Sequence, residues 1–411
     1  MVTAKTKRER VRAALAGRPV DRVPISFWRH FPDLDMNPAA LAEALLAFHR
    51  RYDLDFMKVM PNGVYCVEDW GCETAYQGGS TGARTCVRHA VRTIEDWSHL
   101  RPLEPSARAL ARELSCLRAI CARREDDAPV PQTIFSPFTV ARKVAGPALV
   151  QETMARDPAR LHAALDVISA TVEAYVRACL EAGAAGIFFA TQAATPEVLS
   201  AEEHRTFVEP SDLRVLQAVP GSEAIVLLHL HGDLPYLTDL AAAYPAHALN
   251  WHDRRTRPSL GEAIGRVSQA LVGGLDERGS MITASPEAVR DQVHDAIAQC
   301  RGRRLLVGPG CVVDLRVPRR TWPPPARRLR ACRPPEGRPA GQRLPLPPPG
   351  RSVSPRRRLP LLDPGQPMVF HFHLSRPAIP DSLRLALGES GSWRVLTPLP
   401  TMVLSGRVRG L

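Results

Sequence analysis

The sequence has no run of about eighteen uninterrupted apolar residues, so it offers no membrane-spanning helix and no membrane role is expected. It also lacks an apolar leader. Met1-Val-Thr-Ala-Lys-Thr-Lys-Arg runs into a charged helix, and no secretory signal is expected. Cysteine is present without a framework: the nine thiols are odd in number and scattered, which reads as a reduced, cytoplasmic protein and not a disulfide scaffold. No glycine-rich loop follows the first apolar run, which removes the phosphate cradle of an open doubly wound sheet.

Lysine is absent between Arg319 and Leu411, where 17 arginines face four acids (Glu336, Asp363, Asp381, Glu389). That stretch carries +13 against +12 for the whole chain, which leaves −1 for residues 1–318. The basic balance therefore belongs to the tail and does not mark the chain as a binder of nucleic acid or anionic membrane. The tail also holds 18 of the 39 prolines, in runs such as Pro323-Pro324-Pro325 that disfavour helix and central strand. It lacks the aromatic interleaving of a base-stacking platform. Residues 319–411 are expected to be disordered and foreign to what precedes them. A change of reading frame near Pro318 in a G/C-rich gene would give this composition; a genuine Arg/Pro-rich extension is the alternative.

What is there before the tail is an alternation. Eight short apolar runs are separated by amphipathic segments: 23–28, 55–60, 130–135, 186–190, 224–230, 248–251, 270–274 and 304–307. Runs without internal polar alternation are how strands buried on both faces of a parallel sheet read. Several intervening segments open with Asp, Thr or Ser before Pro or Glu, as at Pro158, Pro196 and Pro286, the pattern expected of helix starts. Eight βα units in about 300 residues predict a (β/α)₈ TIM barrel over residues 1–318, with the doubly wound sheet as the alternative. The long gap after the second run, including Glu95 to Leu103, is expected to cap the mouth. A barrel needs a last helix over the seam between strands eight and one, and the prolines after 318 deny it one.

Strand five ends His229-Leu-His231, and residues two apart share a face, so both imidazoles point the same way at the carboxyl end where barrel enzymes work. Strand eight ends Gly308-Pro-Gly-Cys311, placing a thiol at the same mouth. His229, His231 and Cys311 are a candidate zinc set with one position open for substrate. A histidine pair there can equally bind an anion or simply hydrogen-bond, and a lone cysteine can be an inert core thiol. His252 and Asp276 are candidate acid/base groups, and Arg29, His30 and Trp251 candidate substrate-binding ones. Glu277 completes a mouth carrying both signs of charge.

These residues resemble a known family. Arg8-Glu-Arg-Val-Arg-Ala-Ala-Leu-Ala-Gly-Arg-Pro-Val-Asp-Arg-Val-Pro, Phe135-Ser-Pro-Phe-Thr-Val, Gly186-Ile-Phe-Phe-Ala-Thr-Gln, His229-Leu-His-Gly and Gly308-Pro-Gly-Cys are similar to the uroporphyrinogen decarboxylase superfamily over residues 5–318. The superfamily includes zinc-dependent methyltransferases that move a methyl group between a corrinoid protein and a thiol. The decarboxylases carry two arginines after strand one, where this chain has Arg29 and Asp33; the aspartate after strand two is missing from Lys58-Val-Met-Pro-Asn-Gly; and Arg142-Lys143 stands at the tyrosine position. The resemblance thus implies methyl transfer over tetrapyrrole decarboxylation, with zinc held by His229, His231 and Cys311, Arg142 added to the substrate groups, and a corrinoid on a partner protein. His231 stands where the methyltransferases carry a cysteine. Uroporphyrinogen decarboxylation in porphyrin biosynthesis, and a catalytically inactive copy lacking its closing helix, remain the alternatives.

Overall fold

The computed structural model describes residues 4–220 and 223–322, together with the backbone of two short strands, Leu385–Leu387 and Trp393–Val395. The chain divides into two units, Met1–Arg338 and Pro339–Leu411. In the second unit the two short strands pair antiparallel, with Trp393 opposite Leu387. The expectation of disorder for the rest of 323–411 lies outside the described residues.

In the first unit, six of the eight apolar runs form one parallel sheet. After a small antiparallel ribbon, β1 (Glu73–Ala75) and β2 (Thr85–Arg88), come β3 (Pro131–Phe135), β4 (Gly186–Thr191), β5 (Ile225–Leu230), β6 (Ala248–Asn250), β7 (Ala270–Leu275) and β8 (Leu305–Pro309). Each of β3 to β8 lies beside its successor in the chain, which is barrel order.

The first two runs depart from the expectation of full strands. Each makes a single parallel bridge, Ile25 with Val307 and Val59 with Gln132. Pro24 has no N–H to give, and side chains take over part of the ladder. Ile25 N–H donates to Asp55 Oδ2 at 2.8 Å, and Ser26 Oγ donates to Phe56 O at 2.7 Å. The ring nonetheless closes: Ser26 N–H reaches Val307 O at 2.9 Å, Asp55 N–H reaches Ile25 O at 2.9 Å and Val59 N–H reaches Pro131 O at 3.0 Å. Eight staves therefore form the (β/α)₈ barrel.

Helices cover the outside for the reasons their sequences give. Pro38–Tyr52 starts because Asn37 Oδ1 accepts the N–H groups of Ala39 and Ala40 while Pro38 fits the first turn. Its Leu41, Leu45, Leu46 and Tyr52 then form the buried face. No helix among the described residues is long and apolar enough to cross a membrane.

Part of the expected cap is corrected. Glu95–His99 is a 3₁₀ turn on the barrel's flank, because Trp97 buries its ring there and donates Nε1–H to Thr153 Oγ1 at 2.9 Å. The segment that reaches the mouth is the ribbon loop 76–84, where Ser80 O accepts Leu315 N–H at 2.7 Å and Gly82 lies so close to His30 that a Cβ would come within 2.9 Å of its own.

The barrel also runs beyond 318. Arg319–Thr321 form a 3₁₀ turn pinned by Thr321 Oγ1 donating to Met281 O at 2.6 Å. Trp322 then packs against Phe27, Phe48 and Tyr52, with ring centroids 5.1, 5.2 and 5.4 Å away. This aromatic cluster packs the residues beyond the expected boundary onto the first stave and helix Pro38–Tyr52. Trp322→Ala should cost about 3–5 kcal/mol, read as a lower urea midpoint of the full chain; an unchanged midpoint would show that the ring is not part of the core.

Candidate metal centre

The register of β5 against β6 sets His229 opposite Asn250. Asn250 Nδ2 donates to Val272 O at 2.8 Å and Pro309 O at 3.0 Å, so its Oδ1 is the atom facing His229 Nδ1 at 2.7 Å. Oδ1 only accepts, so His229 carries its proton on Nδ1 and its Nε2 lone pair is free. That lone pair lies 3.7 Å from Cys311 Sγ, and His231 Nδ1 lies 3.7 Å from the same sulfur. The three donor atoms lie within 4.8 Å of one another. Gly310 permits this turn, because a Cβ there would meet the Trp251 carbonyl oxygen at 2.9 Å.

His252 stands beside them, its ring centroid 5.3 Å from that of His231. Its Nδ1 donates to Glu277 Oε1 at 2.8 Å, and Glu277 Oε2 accepts Gly310 N–H at 3.0 Å. Burial alone would lower the His252 pKa, but the Cys311 sulfur and the Glu277 carboxylate push it up to about 9. Burial likewise opposes ionisation of Cys311, and the imidazoles of His229, His231 and His252 pull it the other way, well below its ordinary range. With His229 neutral, the positive partner in this set is His252, and these directions favour a thiolate at Cys311 beside an imidazolium at His252.

Two cavities meet at His231, Gln192 and Arg278. One, of about 220 Å³, is lined by Trp28, His30, Lys58, Phe188, His229 and Cys311. The other, of about 370 Å³, is lined by Arg142, Glu197, Asp233 and His252. Lys58 is buried, its Nζ 4.4 Å from the Phe188 ring centre, with Met60 Sδ as its hydrogen-bond partner at 2.6 Å. Burial lowers its pKa to about 7, against a raising pull from Cys311. His30 is driven down to about 3 by burial and then by Lys58, so it is neutral.

Of the residues predicted from sequence, the structure brings His229, His231, Cys311, His252, His30 and Arg142 to these cavities. Three others are turned elsewhere. Arg29 lies on the other face from Trp28 and His30, stacked on Phe31 at 5.4 Å. Trp251 follows the inward Asn250 and so points into the outer layer, donating to Pro258 O at 2.9 Å. Asp276 caps a turn, accepting the N–H groups of Arg278 and Ser280 at 3.3 Å each, and its neighbour Glu277 faces inward instead. Asn250, Lys58 and Lys143 were missed; for the first two the available signal was a polar residue inside an otherwise apolar run, and for Lys143, on helix Pro137–Ala145, it was only the neighbouring Arg142.

The sequence model of uroporphyrinogen decarboxylase (URO-D) matches residues 6–321. The chain belongs to the uroporphyrinogen decarboxylase family. Relatives within reach of this family member carry two activities. A methylcobamide:CoM methyltransferase of Methanosarcina mazei is 22% identical over 305 residues, covering 70% of this chain and 88% of the relative. A uroporphyrinogen decarboxylase of Chromohalobacter salexigens is 27% identical over 338 residues, covering 75% and 90%. A solved methyltransferase from Methanosarcina mazei shares the fold, with a TM-score of 0.66 at 20% identity over 80% of this chain and 97% of that one. Family members are enzymes, and the family's two reactions are both represented among these relatives.

The geometry makes a prediction about the thiol. After chelator treatment, Cys311 should alkylate with iodoacetamide at a rate that changes little between about pH 6 and 8, because it is already ionised there. A rise of about tenfold per pH unit on the Cys311 peptide, the behaviour of an ordinary thiol, would contradict the arrangement.

Proposed function

We propose that the protein is a zinc-dependent methyltransferase that moves a methyl group from a corrinoid, carried by a separate protein, to a thiol or similar small acceptor in the cytoplasm. The observation that carries this reading is the convergence of His229 Nε2, His231 Nδ1 and Cys311 Sγ, with Asn250 holding the first imidazole in the tautomer that can bind a cation. Two imidazoles and a thiolate suit zinc, and three protein ligands leave a position open. Zinc bound there would lower the pKa of an acceptor thiol and present it as a thiolate.

The chain's own residues fit the remaining needs of such a transfer. His252 binds Glu277 through Nδ1 and, protonated, offers its Nε2–H as a donor to the acceptor's anion, while the proton that the acceptor gives up leaves to solvent through the mouth. Lys58, Lys143 and Arg142 make no ion pair with a carboxylate among the described residues and outnumber Glu197 and Asp233 along the two cavities, so the mouth favours an acceptor with an anionic group. Trp28 and Phe188, packed at 5.3 Å, give the inner cavity a dry wall against which a methyl group can travel. Decarboxylation, the reaction named for the Chromohalobacter relative, has weaker support. The arginine that would hold a substrate carboxylate, Arg29, lies on the outer face.

The test uses zinc-loaded full-length protein, made without a histidine tag, with a free methylcobamide and a panel of small anionic thiols. We expect thiol-dependent demethylation that Cys311→Ala abolishes, and a zinc affinity that Asn250→Ala lowers about 10–100-fold. Activity that survives Cys311→Ala or thorough chelation, or release of carbon dioxide from uroporphyrinogen in place of demethylation, would overturn the reading.

A further inference from the structure

A second cluster of metal-ligating side chains lies outside the mouth. Cys72 immediately precedes β1, Cys86 lies in β2, and His89 immediately follows β2. The ribbon's register slips between Glu73 and Thr74, an irregularity that moves the Cys72 end of β1 out of simple alternation with Cys86. One donor atom from each of Cys72, Cys86 and His89 lies within 4.8 Å of the other two.

The surroundings of these atoms are those of ligands. His89 Nδ1 lies 3.0 Å from the carbonyl oxygen of Lys143, which only accepts. Nδ1 therefore carries the proton and Nε2 keeps its lone pair, the tautomer that outer hydrogen bonds impose on metal-binding histidines. Cys72 Sγ accepts the Ala90 N–H at 3.3 Å; burial and the adjacent Cys86 thiol push its pKa up to about 12, so its proton is lost only when a cation takes its place. Cys72 is buried, whereas Cys86 and His89 are half-buried, so the open side of the cluster faces solvent and offers an entry path. Cys86 donates its thiol proton to Arg88 O at 3.2 Å and would release it on binding a cation.

We propose that Cys72, Cys86 and His89 form a second zinc site, with water as the fourth ligand, that clips the two ends of the ribbon together where His89 and Cys72 also hydrogen-bond the end of helix Pro137–Ala145. Two thiolates and an imidazole are soft and borderline ligands that select zinc over magnesium or calcium. The clip lies where the ribbon meets the helix, and both elements reach the mouth. The ribbon carries loop 76–84, whose Thr81, Ala83 and Arg84 line the inner cavity. The helix carries Arg142 and Lys143, and its Lys143 and Val144 carbonyl oxygens meet His89 and Cys72 at 3.0 and 3.7 Å. An ion at this position would hold the roof of the mouth against one wall, without contacting the substrate.

The test measures zinc per chain in full-length, untagged protein: wild type, the Cys72→Ser/Cys86→Ser double variant, His89→Gln, and the mouth double variant His231→Ala/Cys311→Ala. We expect the first two variants to hold about one zinc fewer than wild type, and the mouth variant to keep the ion at the clip. Comparing the two sets separates failure of this site from failure of the mouth reading. Should the clip variants not fold, wild-type protein serves. Alkylation of Cys86, followed by mass spectrometry, should be slow as isolated and at least about tenfold faster after chelation. Equal zinc in wild type and clip variants, Cys86 labelling indifferent to chelation, or a Cys72–Cys86 disulfide in protein isolated under reducing conditions would overturn the proposal.

Discussion

Asp55 lies fully buried at the end of the barrel away from the mouth, and through it the first two staves are tied to each other and to the helix Lys7–Leu15. Its two oxygens accept four hydrogen bonds: Arg10 Nη1 at 2.9 Å and Arg22 Nη2 at 2.9 Å on Oδ1, Arg22 Nη1 at 2.5 Å and Ile25 N–H at 2.8 Å on Oδ2. A carboxylate taken out of water alone would cost several kcal/mol, and it is tolerated because every acceptor position is filled and two guanidiniums face it. The consequence is positional. With Ile25 held by its own N–H, the phase of the first stave is set, and Trp28 and His30 face inward. A slip of one residue would bring Arg29 inward and send His30 out.

That phase marks the limit of what could be read from the sequence. The barrel was legible because its runs are apolar throughout, with helix starts between them. His229 and His231 were legible as a pair, since a spacing of two puts both on one face wherever the strand begins. Single residues at strand ends were not. Arg29, Trp251 and Asp276 are each one position away from a residue that faces inward: His30, Asn250 and Glu277. The composition of an end segment says that something polar is there, while only the register of the neighbouring strand says which residue. The same reasoning covers the first two staves, whose backbone bonds were lost to Pro24 and to side chains that no alternation pattern records.

The tail misled in a narrower way. Its charge and proline content separate it from the barrel, but the boundary inferred from prolines fell at 318, and the chain still packs through Trp322. A tryptophan among prolines looks like part of the Arg/Pro-rich stretch. Only the three aromatic rings of Phe27, Phe48 and Tyr52, which lie far away in sequence, identify it as core.

The electrostatics of the mouth bear on what it holds. Glu277 and Cys311 are negative, His252 between them is positive, and all three lie in or at the edge of a low-dielectric wall, so the group sums to −1. His231 and His229 are turned to the same point, and the Asn250 contact leaves the latter with a free lone pair facing Cys311. Negative charge in such a place is costly, and the cations beside it offset it only in part: Arg278 approaches Glu277 Oε1 at 4.0 Å from a largely solvated position, and Lys58 is driven by burial to about 7 and is only partly charged at neutral pH. A bound divalent cation would supply the missing positive charge and use the idle lone pairs together. The replacement of a second thiolate by His231 fits the same balance. With Glu277 already supplying a buried carboxylate behind His252, a two-thiolate site would put one more negative charge in the same buried place.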